Sequence, residues 1–129
     1  MIKLVILGQT PSKKNTHRSM YSRSKRRFII APSEKCLEWE NLAVLQLMHQ
    51  MNEMGLETIT ASVHCKILVY RATKIRADRL NLYQSVEDAL ERAGVIENDF
   101  QIVSHDGSRV MYGVKAEYAR AEIYMEVYK

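Results

Sequence analysis

Apolar and polar residues alternate along several short stretches of the chain, the pattern typical of β-strands. Near the N-terminus, Ile2, Leu4 and Ile6 alternate with a second set of residues that is itself largely apolar. We therefore expect a strand with one face fully buried and the other mostly buried, ending at Gly8. The further strands predicted in this way are 28–30, 58–70, 101–104, 110–116 and 121–127.

Apolar residues that recur every three to four positions predict a long amphipathic helix over residues 34–53. Ser33 can cap its start, and Gly55 occupies the position where a helix-ending glycine is expected. Trp39 is expected to anchor the helix on the sheet. The apolar stripe, interpreted as core or as a dimer contact, consists of Leu37, Ala43, Val44, Leu47, Met48, Met51 and Met54.

The same periodicity predicts a second helix over residues 78–93. The chain then reads as strand, basic loop, strand, helix, strand, helix and three strands. This order predicts one α+β domain over residues 1–129, a mixed β-sheet with two helices packed on one face. The core stripe of the second helix is expected to be Leu82, Val86, Ala89, Leu90 and Ala93.

The charge distribution adds a phosphate-binding character to this fold. The net charge is +4, but residues 1–35 hold nine Lys or Arg and a single acid, while the rest of the chain is net negative. A basic front half suggests binding to a nucleic acid, although a solvated basic surface is the alternative. Residues 16–27 are interpreted as a mobile hairpin that orders on a phosphate backbone. The candidate DNA-binding residues are Lys13, Lys14, Asn15, Arg18, Arg23, Lys25, Arg26, Arg27, Lys74 and Arg76.

Cysteine usage and hydropathy argue against two other classes of protein. Cys36 and Cys65 are far apart and no CxxC pair is present, so a zinc site or a disulfide framework is not expected. This fits a reducing, cytoplasmic location. No run of about 18 apolar residues occurs, so no membrane-spanning helix is expected.

Acidic residues lie on and after the second predicted helix. Asp78 opens the helix, Asp88 lies on its flank, and Asp99 follows in the turn before the next strand, which should bring it back beside the helix. Mg²⁺ prefers such hard oxygen ligands, and one or two metal ions can activate water and stabilise charge in phosphodiester hydrolysis. These three aspartates are therefore the candidate metal ligands, with Mn²⁺ as a substitute ion.

Structural roles for the same acids remain open. Asp78 could serve only as an N-cap that accepts from the backbone N–H of Asn81. Asp88 could pair with Arg92 one turn later, and the Asn98-Asp99 pair could simply form a turn. Capping and metal binding do not exclude each other.

The pattern of these residues resembles the RusA-type Holliday junction resolvases. The loop Pro11-Ser12-Lys13-Lys14-Asn15 also looks like the loop after the first strand in that family. The resemblance implies a homodimeric α+β fold and Mg²⁺-dependent cleavage of four-way DNA junctions, with Asp78 and Asp99 as metal ligands and Asp88 as a further acid near the site. The matching residues are Asp78, Asn81, Asp88-Ala89-Leu90, Gly94, Asp99 and Gln101-Ile102.

Three positions depart from the family pattern. Leu80 stands where the family has its second essential aspartate, Gln84 where it has a catalytic lysine, and Asn98 where it has the first acid of an Asp-Asp pair. Glu87 lies on the same helical strip and is the candidate catalytic replacement for the missing acid. The candidates for the missing cation are Lys74, Arg76 and Arg79.

Three functional interpretations follow from these observations. The first is a Mg²⁺-dependent, structure-selective endodeoxyribonuclease that acts as a homodimer on branched DNA in recombination and repair, of a kind associated with phages and prophages. The alternative is a relative of the same fold with weakened or lost catalysis that binds branched DNA, since a missing carboxylate and a missing cation both reduce transition-state stabilisation. A small interaction protein with an acidic partner is a third interpretation.

Overall fold

The computed structural model describes residues 1–12, 17–22, 27–32 and 34–128, and for the second and third of these ranges it describes the backbone. The elements are arranged as the sequence predicts for an α+β domain. In chain order they are β1 (Ile2–Leu7), β2 (His17–Ser22), β3 (Arg27–Pro32), α1 (Glu34–Met54), β4 (Val63–Arg71), α2 (Arg79–Arg92), β5 (Ile102–Ser104), β6 (Arg109–Tyr112) and β7 (Arg120–Val127).

The main sheet is mixed and is built around β4. Strand β7 lies between β1 and β4 and runs antiparallel to both. On its other edge β4 pairs in parallel with β5 near its start, where Val63 meets Ile102, and with β6 near its end. The loop that joins these two parallel strands, residues 105–108, therefore runs along this edge of β4, where His105 contacts α2.

One face of this sheet forms the core. Leu4, Ile123 and Ile67 lie in register across β1, β7 and β4, and all three side chains are fully buried. On the opposite face, the ammonium groups of Lys3 and Lys66 lie over the ring of Tyr124. Both helices thus pack on the apolar face, as predicted, because the other face carries the polar residues of the alternating pattern.

Strands β1 and β4 differ in detail from the predictions. The outer face of β1 is not mostly buried, because Leu7 is 65% exposed and Lys3 is exposed. Strand β4 begins at Val63 rather than at residue 58. Alternation alone does not show whether a second layer covers the other face of an outer strand.

Helix α1 begins and ends close to its predicted bounds but buries only part of its predicted stripe. Its buried residues are Cys36, Trp39, Ala43 and Leu47, so Trp39 does anchor the helix. Leu37, Met48 and Met54, expected in the stripe, are exposed. The apolar residues of α1 surround more of the helix than one interface needs, and the sequence does not say which arc faces the sheet.

Helix α1 ends in a glycine-dependent cap. The N–H of Leu56 donates to the Met51 carbonyl at 2.8 Å and that of Gly55 to the Asn52 carbonyl at 3.3 Å. This pair of bonds requires a left-handed residue, and Gly55 adopts φ 62°.

Helix α2 confirms most of its predicted core stripe. Leu82, Val86, Ala89 and Leu90 are fully buried. The hydroxyl of Ser85 donates to the Pro11 carbonyl at 2.7 Å and so ties the loop after β1 to the middle of this helix.

Strands β2 and β3 form a separate antiparallel two-stranded sheet, which gives the basic segment the hairpin pairing expected of it. The predicted cap Ser33 lies outside the described residues. Among the described helices, neither has the length and hydrophobicity needed to cross a membrane.

Candidate active site

A cavity of about 960 Å³ opens between the start of α2 and the loop that follows β5. Asp78 lines it from the helix side, and His105 and Asp106 line it from the loop. Both carboxylates lie among basic groups, the arrangement that suits a charged substrate. The basic side chains that line the cavity are Arg76, Arg79 and Arg109.

Asp78 is both the N-cap of α2 and part of the cavity wall. Its Oδ1 accepts from the backbone N–H of Leu80 at 2.9 Å. The expected partner was Asn81, but the N–H of Asn81 donates to the backbone carbonyl of Asp78 instead, at 3.1 Å. The N–H group that the Asp78 side chain caps was therefore predicted one residue too far along the chain. The Asp78 carboxylate is exposed and also faces the cavity.

His105 is held in the cavity wall by two acceptors. Its Nε2 lies 2.6 Å from Oε1 of Glu87, and its Nδ1 lies 2.9 Å from the carbonyl oxygen of Cys65. A carbonyl and an ionised carboxylate both accept hydrogen bonds, so this pair of neighbours favours the doubly protonated ring over the neutral one. The hydrogen bond to Glu87 raises the pKa of His105, and the Cys65 carbonyl raises it further, while burial opposes both. The ring also stacks on Tyr83, with 5.7 Å between centroids.

Cys65 is a structural residue in this region. Burial raises the pKa of its thiol to about 12, and the charge of Glu87 adds to the effect. The side chain is fully buried. A thiol in this state is not a nucleophile, because the reactive species is the thiolate.

Glu87 therefore does not stand directly in place of the missing aspartate at Leu80. Its side chain is 13% exposed and is engaged with His105. Leu80 is 67% exposed and lines the cavity, while Glu87 reaches the cavity through His105. The catalytic role of Glu87 stays a prediction, and in this geometry its carboxylate is hydrogen-bonded to His105.

Asp88 and Asp99 lie away from this cavity. Asp88 accepts from Nε2 of Gln84 at 2.8 Å, and Arg92, its expected partner, pairs instead with Glu40 at 3.3 Å. Asp99 begins a short 3-10 helix, Asp99–Gln101, just before β5. Within the described ranges, no three acidic, histidine or cysteine side chains are grouped so that they could share a metal ion. The structure thus does not bring Asp78, Asp88 and Asp99 together.

Two side chains fix the turn that carries Asp99: Oδ1 of Asn98 accepts from the N–H of Phe100 at 2.9 Å, and Gln101 makes four further bonds. Oε1 of Gln101 accepts from the N–H groups of Glu97 and Asn98 at 2.7 and 2.9 Å. Its Nε2 donates to the carbonyls of Ile59 and Ala61 at 2.7 and 2.9 Å. All four hydrogen-bonding positions of this amide are used, so the glutamine holds the turn against the chain that leads into β4.

Most of the predicted DNA-binding residues lie outside what can be described. Lys74 is exposed. Arg76 is exposed and lines the cavity beside Asp78. The side chains that fall outside the described residues are those of Lys13, Lys14, Asn15, Arg18, Arg23, Lys25, Arg26 and Arg27.

Sequence reasoning missed the residues that the loop after β5 contributes. Asp106-Gly107 was predicted as a turn, and the bond from the Ser108 N–H to the His105 carbonyl at 2.9 Å confirms one. Nothing local marks His105, Asp106 or Arg109 as facing α2. That placement comes from the parallel pairing of β5 and β6 with β4.

Comparison with known families decides the ancestry of this site. The family model for the endodeoxyribonuclease RusA matches residues 11–126. The chain belongs to the RusA endodeoxyribonuclease family. A search of curated proteins gives no match. The RusA match extends from the loop after β1 to the end of β7, so it includes both walls of the cavity, and it places the protein in a family of nucleases of the Holliday junction resolvase type.

Proposed function

We propose that this RusA-family protein is a Mg²⁺-dependent, structure-selective endodeoxyribonuclease that resolves four-way DNA junctions as a homodimer. The observation that carries the proposal is the cavity at the start of α2, where Asp78 and Asp106 lie among arginines. A family of endodeoxyribonucleases supplies the reaction class. A cytoplasmic location belongs to the same proposal.

The donor atoms of this cavity fit Mg²⁺ in its usual protein setting. Mg²⁺ is commonly bound through one or two carboxylates, water and substrate phosphates rather than by a full protein cage. Asp78, with Asp106 across the cavity, meets that requirement. Asp99 and Asp88 remain candidate ligands from the family pattern. When bound, the ion would activate water and offset charge at the phosphorus.

The charged groups of the chain have separate roles in this proposal. Arg76, Arg79 and Arg109 bind the phosphates on either side of the cleaved bond. The His105 imidazolium supplies a fixed positive charge near the position from which the family's lysine is missing. Glu87 orients that ring and keeps it charged.

A second apolar stripe on α1 supports the homodimer. On a helix with 100° per residue, four exposed apolar side chains of α1 share an arc of about 140°, on the side away from the buried stripe. An exposed apolar patch of this kind marks an interaction surface in a soluble protein. A closed two-fold pair would supply the two sites that a two-fold junction needs. The exposed residues are Leu37, Leu42, Leu45 and Met48.

One observation favours a second candidate function, junction binding with weak or no cleavage. Leu80 faces the cavity where an acid is expected, and Gln84 bonds to Asp88 rather than presenting a charge. Such a protein would hold branched DNA without cutting it efficiently.

A cleavage assay separates the two functions. The protein is incubated with a labelled four-way junction or a matched linear duplex in Mg²⁺, Mn²⁺ or EDTA. Metal-dependent nicking of the junction that Asp78→Asn abolishes supports the enzyme. Tight junction binding without nicking supports the binding protein, and absence of both contradicts each of them.

A further inference from the structure

A second cavity, of about 520 Å³, lies behind the active-site cavity and shares two wall residues with it, Arg76 and Ala77. Among the described residues, its wall carries three basic side chains, Lys35, Arg71 and Arg76, and no acidic one. The active-site cavity, by contrast, mixes both signs of charge. A pocket with cations alone is suited to an anion.

Arg71 is the strongest sign that this pocket has a ligand. It is only 9% exposed. Its Nε donates to the Thr10 carbonyl at 3.3 Å and its Nη1 to the Ile75 carbonyl at 3.4 Å, both long bonds to neutral groups. In the part of the chain that the structure describes, no carboxylate pairs with it. A buried charge is costly unless a counter-charge accompanies it, and an anion in the cavity would provide one.

Two further donors in the same wall are unused. The hydroxyl of Ser12 and the indole N–H of Trp39 are buried, and neither has a hydrogen-bond partner in the described chain. Both side chains line this cavity. Buried donors without acceptors are rare in folded proteins, so each marks a position where an acceptor is missing.

We propose that this second cavity is a phosphate-binding subsite that takes the backbone phosphodiester adjacent, on the same DNA strand, to the phosphodiester being cleaved. Arg76 lies on the wall between the two cavities, so a strand that passes over it would place one phosphate at Asp78 and a neighbouring phosphate at Arg71 and Lys35. That the bound anion is a phosphodiester of DNA rests on the proposed function, whereas the preference of the cavity for an anion does not.

Inorganic phosphate tests the cavity without DNA, metal or cleavage. Trp39 is the single tryptophan of the chain and lines the cavity, so its fluorescence reports occupancy. Titration in EDTA is expected to change the emission in a saturable way. Lys35→Gln and Arg76→Gln are expected to weaken phosphate binding about threefold or more. The matched control is Lys115→Gln, since Lys115 is an exposed cation that lines neither cavity.

Arg71→Gln is a stronger change but threatens the fold, so the exposed Lys35 and Arg76 carry the test. An unchanged Trp39 signal on adding phosphate, or equal weakening in Lys35→Gln and Lys115→Gln, overturns the subsite. Asp78→Asn is expected to leave the phosphate signal intact while it abolishes cleavage. In the wild-type protein, a saturable phosphate titration without cleavage contradicts the proposed function and not the subsite, whereas cleavage without a phosphate signal contradicts the subsite and not the proposed function.

A second arm separates a backbone phosphodiester from free phosphate. Single uncharged methylphosphonate linkages are placed in turn along each strand of the junction, and binding is measured in EDTA. At one linkage beside the cleavage point, the methylphosphonate is expected to lower the affinity of the wild-type protein. The affinity of Lys35→Gln, already weaker, is expected to be the same for this modified junction as for the unmodified one. Lys35→Gln is also expected to lower the slope of log affinity against log salt by about 1. If Lys35→Gln is as sensitive as wild type at every linkage, the cavity does not hold a backbone phosphate.

Discussion

Glu87 on α2 and His105 in the loop after β5 form an ion pair with 2.6 Å between Oε1 and Nε2. This bond joins two elements that are separated by 18 positions in sequence and fixes the loop that carries Asp106 against the helix that carries Asp78. A titratable contact thus helps to join the two walls of the cavity, beside the bonds between Ala77 and the Tyr112 hydroxyl.

The Glu87–His105 pair predicts a pH dependence of stability. The pKa of folded His105 is raised above its usual value near 6.5, chiefly by the bond to Glu87. The stabilising contribution is therefore complete below about pH 6.5 and is lost as the pH rises through the folded pKa. The free energy of unfolding of His105→Gln, measured in urea at several pH values, should decline less over this pH range than that of the wild-type protein.

A matched substitution checks the assignment to this histidine. His49 pairs with Glu53 on the exposed surface of α1. His49→Gln is expected to keep the wild-type pH dependence, since an exposed pair contributes little. If both variants give the same curve, the buried pair does not cause the effect.

Asp78 allows capping to be separated from chemistry. Asn caps a helix about as well as Asp, so Asp78→Asn should preserve stability while it removes the charge that a metal needs. Asp78→Ala should also lose about 1 kcal/mol of unfolding free energy. Urea unfolding and junction cleavage, measured on both variants, test this. Wild-type cleavage by Asp78→Asn would contradict a metal-binding role for Asp78.

Leu80 and Gln84 predict a gain of function. Leu80 is exposed in the cavity, so Leu80→Asp should cost little stability and add a carboxylate beside Asp78. Combined with Gln84→Lys, it should raise Mg²⁺-dependent cleavage of a junction by about tenfold or more, in the range of a single electrostatic contribution. Leu80→Asn with Gln84→Met is the uncharged control. An equal rate in the charged and uncharged pairs would show that these two positions do not limit catalysis.

Gln101 predicts a large stability change from a small substitution. Gln101→Glu keeps the acceptor for Glu97 and Asn98 but places carboxylate oxygen against the carbonyls of Ile59 and Ala61. We expect a loss of about 2 kcal/mol or more in unfolding free energy. Gln46→Glu is the comparison, since its Oε1 also accepts from a backbone N–H, that of Leu7. Equal losses of unfolding free energy in the two variants would show that Gln101 stabilises the fold no more than Gln46 does.

The exposed stripe of α1 predicts a change of oligomeric state. Leu45 is 64% exposed at the centre of the stripe, and Leu45→Lys should convert a homodimer to a monomer without unfolding it. Tyr118→Lys, at an exposed apolar residue remote from the stripe, should stay dimeric. Sedimentation velocity measures both. A dimer that survives Leu45→Lys places the interface elsewhere.

Local periodicity was enough for most of the elements and for the fold class, although it extended the sixth strand to residue 116 where the structure ends it at Tyr112. Alternation located β7, the 3.6-residue repeat located α2, and Asp78 and Gly55 marked helix ends, because these signals arise between neighbours in sequence. The α+β class followed from their order.

The face of α1 that packs on the sheet could not be predicted from the sequence of the helix alone. Apolar side chains cover more than half of its surface, so period alone could not choose between the stripe with Trp39 and the stripe with Leu45. The packing of α1 against β1 and α2 made that choice.

The sequence by itself determined the two helices, the order of elements along the chain, the family resemblance and Asp78 as a candidate site residue. The tertiary structure decided that His105 bonds to Glu87 beside α2, and that Arg76 lies on the wall between two cavities. The physical reason is that hydrogen bonds and buried charges depend on distances between residues far apart in sequence, which the parallel pairing of β5 and β6 with β4 sets.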